Sequence, residues 1–118
     1  MGITTIQAKV FNPGDPSHRI ELDFTVDSGA AYSVVPAAVL QALGIQVHKT
    51  RAFFLANGDR VDRTMGIAGF EYLDDLTAAA VIFGEEGDAA LIGATTLEGF
   101  GFVLDPFRRE LRPMPMRL

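Results

Sequence analysis

The chain of 118 residues has no cysteine and no tryptophan, and only two histidines. Without cysteine there is no disulfide, no zinc–thiolate centre and no thiol nucleophile. His18 and His48 stand at no spacing from Asp or Glu that a metal site would need, and both read as surface residues. No metal and no cofactor is expected. Positive charge is also scarce. Ten Lys and Arg face fifteen Asp and Glu, for a net charge of −5. A nucleic-acid binder would be expected to carry a basic face, so that class is set aside. The late arginines, Arg108, Arg109, Arg112 and Arg117, read as a solvated tail. No apolar run approaches a membrane span. The opening stretch, Met1 to Thr5, has neither a basic n-region nor an apolar h-region, so the chain reads as cytoplasmic. The serines lie in no nucleophile elbow. Asp27, Asp59 and Asp62 lack the ligand alternation of a calcium loop.

What is present suits a β-rich globule. Apolar residues make up 48% of the chain, with nine Phe, enough for the core of one domain over residues 1–118. Ile20, Leu22, Phe24 and Val26 alternate with Arg19, Glu21, Asp23 and Thr25, the period-two pattern of a half-buried strand. With the looser run from Ile3 to Phe11 and the turn cluster Asn12–Ser17, this predicts a hairpin ending at Asp27. Tyr32 to Val35 is short and extended. Pro36 opens a two-turn helix over Ala37–Leu43 that Gly44 closes. Ile45–Leu55 and Val61–Tyr72 are extended around Ala56-Asn57-Gly58-Asp59, where Asn-Gly marks a hairpin tip. Asp74-Asp75 is a turn into Leu76–Phe83. An acidic loop follows, then apolar Leu91-Ile92-Gly93, a short helix from Thr95 to Glu98, and a strand from Phe102.

One motif carries chemistry. Asp27-Ser28-Gly29-Ala30 follows a strand and occurs once. Alone, it is equally a polar turn, since all three of its first residues are turn formers. Three further elements follow it in order: the hairpin tip with Arg60 and Val61, Leu91-Ile92-Gly93 with its helix, and Phe102-Val103-Leu104-Asp105-Pro106. Together they resemble the retropepsin-like aspartic proteases, in particular the small bacterial single-domain members, over residues 18 to 106.

The resemblance implies a mostly β, retropepsin-like acid-protease half-barrel with one or two short helices, acting as a two-fold homodimer on a peptide or protein substrate. It implies Asp27 as the catalytic residue, with Ser28, Gly29 and Ala30 supporting its turn. Ala56, Asn57, Gly58, Asp59 and Arg60 would form a flap over the substrate, and Leu91, Ile92 and Gly93 would pack beneath the site. The counting is physical. Hydrolysis by paired carboxyls needs one ionised and one protonated, and a single Asp-Ser-Gly supplies only one of them. Retroviral members carry an Asp–Arg ion pair where this chain has Ala31 and Ala94, so its dimer is braced differently. Pro113 and Pro115 are poor central-strand residues, which predicts a shortened or replaced terminal sheet. Two other readings stand beside this one. One is a non-catalytic dimerisation or peptide-binding domain that retains the fold, and the other is a plain β-barrel interaction protein.

Overall fold

A computed structural model describes residues 3–118. Met1 and Gly2, part of the stretch read for a leader, lie outside the described residues. The chain runs β1 (Thr5–Asn12), β2 (Asp15–Val26), β3 (Ser33–Pro36), α1 (Ala37–Ala42), β4 (Lys49–Phe54), β5 (Arg60–Tyr72), β6 (Asp75–Gly84), β7 (Leu91–Ile92), α2 (Ala94–Phe100), β8 (Phe102–Asp105) and β9 (Glu110–Pro113). No described helix is long and apolar enough to cross a membrane.

Seven strands form one sheet in the order β1-β2-β7-β3-β6-β5-β4, and β1 also pairs with β5. That last pairing closes six strands into a ring and leaves β4 outside it. The seam runs Lys9↔Glu71, Val10↔Phe70 and Phe11↔Gly69. Arg19 strengthens it, stacking over the Phe11 ring at 4.8 Å while its guanidinium pairs with Glu71. Closure covers the edge of β1 and leaves β4 as the outer strand. The ring is filled by Val10, Phe24, Val35, Phe70, Val81 and Ile92, all fully buried. Phe24 and Phe70 meet edge to face at 6.1 Å.

The structure is tighter at the turns than the sequence suggests. The first hairpin turns on Pro13 and Gly14 alone, with Asp15 to Ser17 already in β2. The Asn12 side chain accepts a bond from the Gly14 N–H at 2.9 Å and so replaces the longer loop. The β5–β6 turn falls one residue earlier than read, on Leu73 and Asp74, both at positive φ (51° and 64°), because Tyr72 and Asp75 already pair across the ladder. Residues 45–48 are not strand. There Ile45 turns inward and its N–H bonds the Leu40 carbonyl at 3.0 Å. Helix α2 is longer than the Thr95–Glu98 reading, since its left-handed cap is Gly101.

The C-terminal segment does form a strand despite its prolines. β9 pairs antiparallel with β8 of the same chain, from Phe102↔Pro113 to Asp105↔Glu110, as a separate two-stranded sheet. Pro113 sits at the end of that ladder on an outer strand, where its missing N–H is tolerated.

Candidate active site

Strand β7 is two residues long, yet it organises the site. It pairs parallel with the end of β2 (Thr25↔Leu91, Val26↔Ile92) and antiparallel with β3 (Val34↔Leu91). The segment from Asp27 to Tyr32 must therefore loop around the end of β7 to pass from β2 to β3. Backbone bonds pin this loop on both sides. The Asp27 N–H donates to Ile92 O at 2.9 Å, and the Ala30 N–H to Asp27 O at 3.2 Å. The start of α2 reaches back to the loop, with Ala94 N–H to Ala30 O at 2.7 Å and Thr95 N–H to Ala31 O at 3.0 Å. Thus Ala31 and Ala94 join their two segments through backbone amides, with no charge needed.

Gly93 makes this contact possible. A Cβ at that position would lie 2.6 Å from the backbone of Tyr32 and 2.9 Å from Ala30 O. Its N–H donates to Ser33 Oγ at 3.0 Å, and Ser33 Oγ shares a 2.6 Å hydrogen bond with Thr96 Oγ1. Ser33 and Thr96 are the buried polar residues of the core, both fully enclosed. Each hydroxyl has its partner, so the pair locks β3, β7 and α2 together without an unsatisfied group.

On this base, Asp27, Ser28 and Gly29 are exposed. The Asp27 carboxylate accepts the Gly29 N–H at 3.0 Å, which orients one oxygen along the turn. Apolar groups flank it. Ile3, Leu104 and Pro106 share a depression with Asp27, and Val103 and Met114 share another with Ser28.

The β4–β5 hairpin runs in register from Lys49↔Met65 to Phe54↔Arg60. Its tip holds Ala56 to Asp59, with Gly58 at φ +91°. Asn57 Oδ1 accepts the Asp59 N–H at 2.8 Å, and Arg60 pairs with Asp62 at 3.1 Å. A cleft of about 600 Å³ lies between the Asp27 loop (residues 29–32) and the arm of this hairpin (residues 51–54), floored by Val34, Ile82 and Leu91. The tip residues 56–60, read from the sequence as the substrate cover, do not line it. The arm does. Phe53 meets Tyr32 edge to face at 6.3 Å, and Arg51 Nη1 donates to the Tyr32 hydroxyl at 3.3 Å.

A second anchor holds the hairpin through its other strand. Arg63 of β5 pairs with Asp88 at 3.1 Å and Glu85 at 3.5 Å, in the loop that leads into β7. The Arg63 hydrogen bond holds the Asp88 carboxyl below its ordinary pKa, against a smaller opposing effect of burial, and the same bond raises Arg63.

The sequence reading thus placed Asp27–Ala30 and Leu91–Gly93, and the fold brings these two groups into contact. It missed Thr96, Tyr32, Arg51 and Phe53. A Thr inside a short helix and an Arg on an outer strand carry no local signature of their partners. Only the folded arrangement pairs them.

The sequence matches no known family model and no curated protein. The fold, by contrast, matches solved structures. A protease of simian foamy virus superposes with a TM-score of 0.57 at 19% identity, covering 80% of this chain and 91% of its own. A retropepsin-like aspartic protease from Rickettsia conorii superposes with a TM-score of 0.55 at 23% identity, covering 88% of this chain and 77% of its own. The described chain superposes on both over most of its length, and by that likeness it has the retropepsin-like fold.

Proposed function

We propose that two copies of this chain pair about a two-fold axis and hydrolyse peptide bonds with two Asp27 carboxyl groups, one from each copy. The observation that carries the reading is the state of Asp27 in the single chain. Its turn is held by backbone bonds to β7 and buttressed by α2, yet the residue itself is exposed, with the apolar Ile3, Leu104 and Pro106 beside it. An isologous contact over that face would bring the two turns together and bury the surrounding apolar surface. The proteolytic names of both structural neighbours point the same way.

The chemistry needs no group beyond the chain and water. Two carboxyls about 3 Å apart share one proton. The ionised one takes a proton from water, whose oxygen attacks the scissile carbonyl carbon. The protonated one donates to the carbonyl oxygen. The resulting diol collapses with cleavage of the C–N bond, and the proton passes to the leaving amine. Gly29 lets the two turns approach, and the Ser28 hydroxyl would bond across the axis. The β4–β5 hairpin, with residues 56–60 at its tip, would close over an extended substrate and exclude water.

Asp27→Asn tests the reading. Asn matches the shape of Asp and cannot act as the base. The purified variant should keep its fold by circular dichroism and lose peptide hydrolysis, and an excess of it should suppress wild-type activity through mixed dimers. Undiminished hydrolysis by Asp27→Asn would overturn the assignment. A second reading, peptide binding without cleavage, draws on the open cleft beside the loop. Peptide capture by the wild type with no hydrolysis at any pH would select it.

A further inference from the structure

Resting on the peptidase reading above, we propose that Arg51 and Tyr32 make the cleft selective for an acidic side chain of the substrate, glutamate in particular. Among the described residues, Arg51 is the one charged group lining the cleft, whose floor is apolar. It faces Arg63 directly across the β4–β5 ladder. The two arginines differ in how their charge is met. Arg63 is paired by Asp88 and Glu85. Arg51 has no acidic partner among the described residues, in a chain where acids outnumber bases by fifteen to ten. Its guanidinium instead lies over the Tyr32 ring at 5.6 Å and donates to the Tyr32 hydroxyl.

That contact leaves a matched pair of donors. A hydroxyl that accepts a bond from Arg51 still has its own proton to give, and the guanidinium has further N–H groups. A carboxylate entering the cleft can take one bond from each, and charge-assisted bonds of this kind are the strong ones. The Tyr32 ring is braced by Phe53, so its hydroxyl is held rather than free to swing. Glutamate suits the depth better than aspartate, because its extra methylene can lie against Val34, Ile82 and Leu91 while the carboxylate reaches Arg51. Glutamine has the same shape without the charge, and lysine is repelled. In a two-fold dimer the cleft occurs twice, so the preference should appear at one position on each side of the scissile bond.

Cleavage-site profiling of a complex peptide library tests this. The wild type should enrich glutamate over glutamine at those two positions, with kcat/KM roughly tenfold higher for a Glu peptide than for its Gln twin. Arg51→Glu should lose the preference and turn toward lysine, Arg51→Lys should keep part of it, and Tyr32→Phe should weaken it. Cleavage without glutamate enrichment, or enrichment that survives Arg51→Glu, overturns the proposal and leaves the peptidase reading intact. If no peptide is cleaved, the peptidase reading fails. A positional-scanning hexapeptide array probed with Asp27→Asn protein then decides the cleft alone. Stronger capture of Glu than Gln peptides, lost in Asp27→Asn/Arg51→Glu, supports the selectivity, and equal capture overturns it.

Discussion

Gly93 shows how one residue sets the geometry of the site. Its α-carbon sits where the Asp27 loop crosses β7, and the backbone of Tyr32 leaves no room for a methyl group. The obstacle is main chain, which cannot rotate away as a side chain can. Gly93→Ala should therefore destabilise the protein by about 2 kcal/mol or more, measured by urea denaturation. Any protein that still folds should have lost activity out of proportion, because relief of the clash displaces the turn bearing Asp27. An alanine variant of unchanged stability would mean that the loop and β7 are less closely packed than described. Ser33 and Thr96 work beside Gly93. Their shared hydrogen bond and the Gly93 N–H form a small buried network whose parts are all satisfied, and such a network specifies one arrangement of β3, β7 and α2.

At the scale of elements, the β4–β5 hairpin is fixed at its arm and open at its tip. Tyr32 and Arg51 tie one side to the Asp27 loop, and Arg63 ties the other to the loop before β7. The tip has no such ties. A Cβ on Gly58 would meet nothing within 4 Å, so space does not demand glycine there, but the positive φ does. Gly58→Val should slow turnover of a good peptide substrate several-fold and lower the thermal midpoint only by the local strain of the tip, a few degrees at most, with the fold intact. Unaltered kinetics would reduce the tip to an ordinary turn. The Arg63–Asp88 tie has a pH signature. The Asp88 carboxyl is held below its unfolded value. Its stabilisation is then complete above the ordinary carboxylate pKa of about 3.9 and is lost as pH falls through the lowered folded value. Asp88→Asn should lower the melting temperature at pH 7, and the gap from wild type should begin to narrow as pH falls below about 4. A gap of unchanged size from about pH 5 down to the most acidic pH at which the protein stays folded would show that the pair acts through packing and not charge.

At the scale of the whole molecule, the proposed site is complete only when two chains meet. Specific activity per chain should fall on dilution, tracking the dimer population rather than total protein. Sedimentation at the assay concentrations checks this, and a fully active monomer would rule out the shared site. β9 folds back on β8 within its own chain, and Val103 and Phe107 remain exposed in that region. The apolar groups that share depressions with Asp27 and Ser28, among them Ile3, Leu104, Pro106, Val103 and Met114, are what that face offers a partner.

Much of this protein was legible in its sequence because the signals are local. Period-two alternation marked β2, Asn57-Gly58 marked a hairpin tip, and Asp27-Ser28-Gly29 stood at a strand end. Each depends on backbone preferences of a few adjacent residues. Turn positions were less legible. Leu73 adopts a positive φ that its own side chain disfavours, because the β5–β6 register demands a two-residue turn there. The contacts that build the site lay beyond local reading altogether. Ser33 and Thr96 are 63 residues apart, and Arg51 and Tyr32 belong to different elements. The sequence by itself determined the alternation that turns Phe24 and Val26 inward along β2, and the one Asp-Ser-Gly turn at a strand end. Only the tertiary structure decided that β7 would sit between β2 and β3, because a two-residue strand carries too little pattern to choose its neighbours. Its place follows from ring closure, from the absence of a side chain at Gly93, and from two buried hydroxyls that find their partners only in that arrangement.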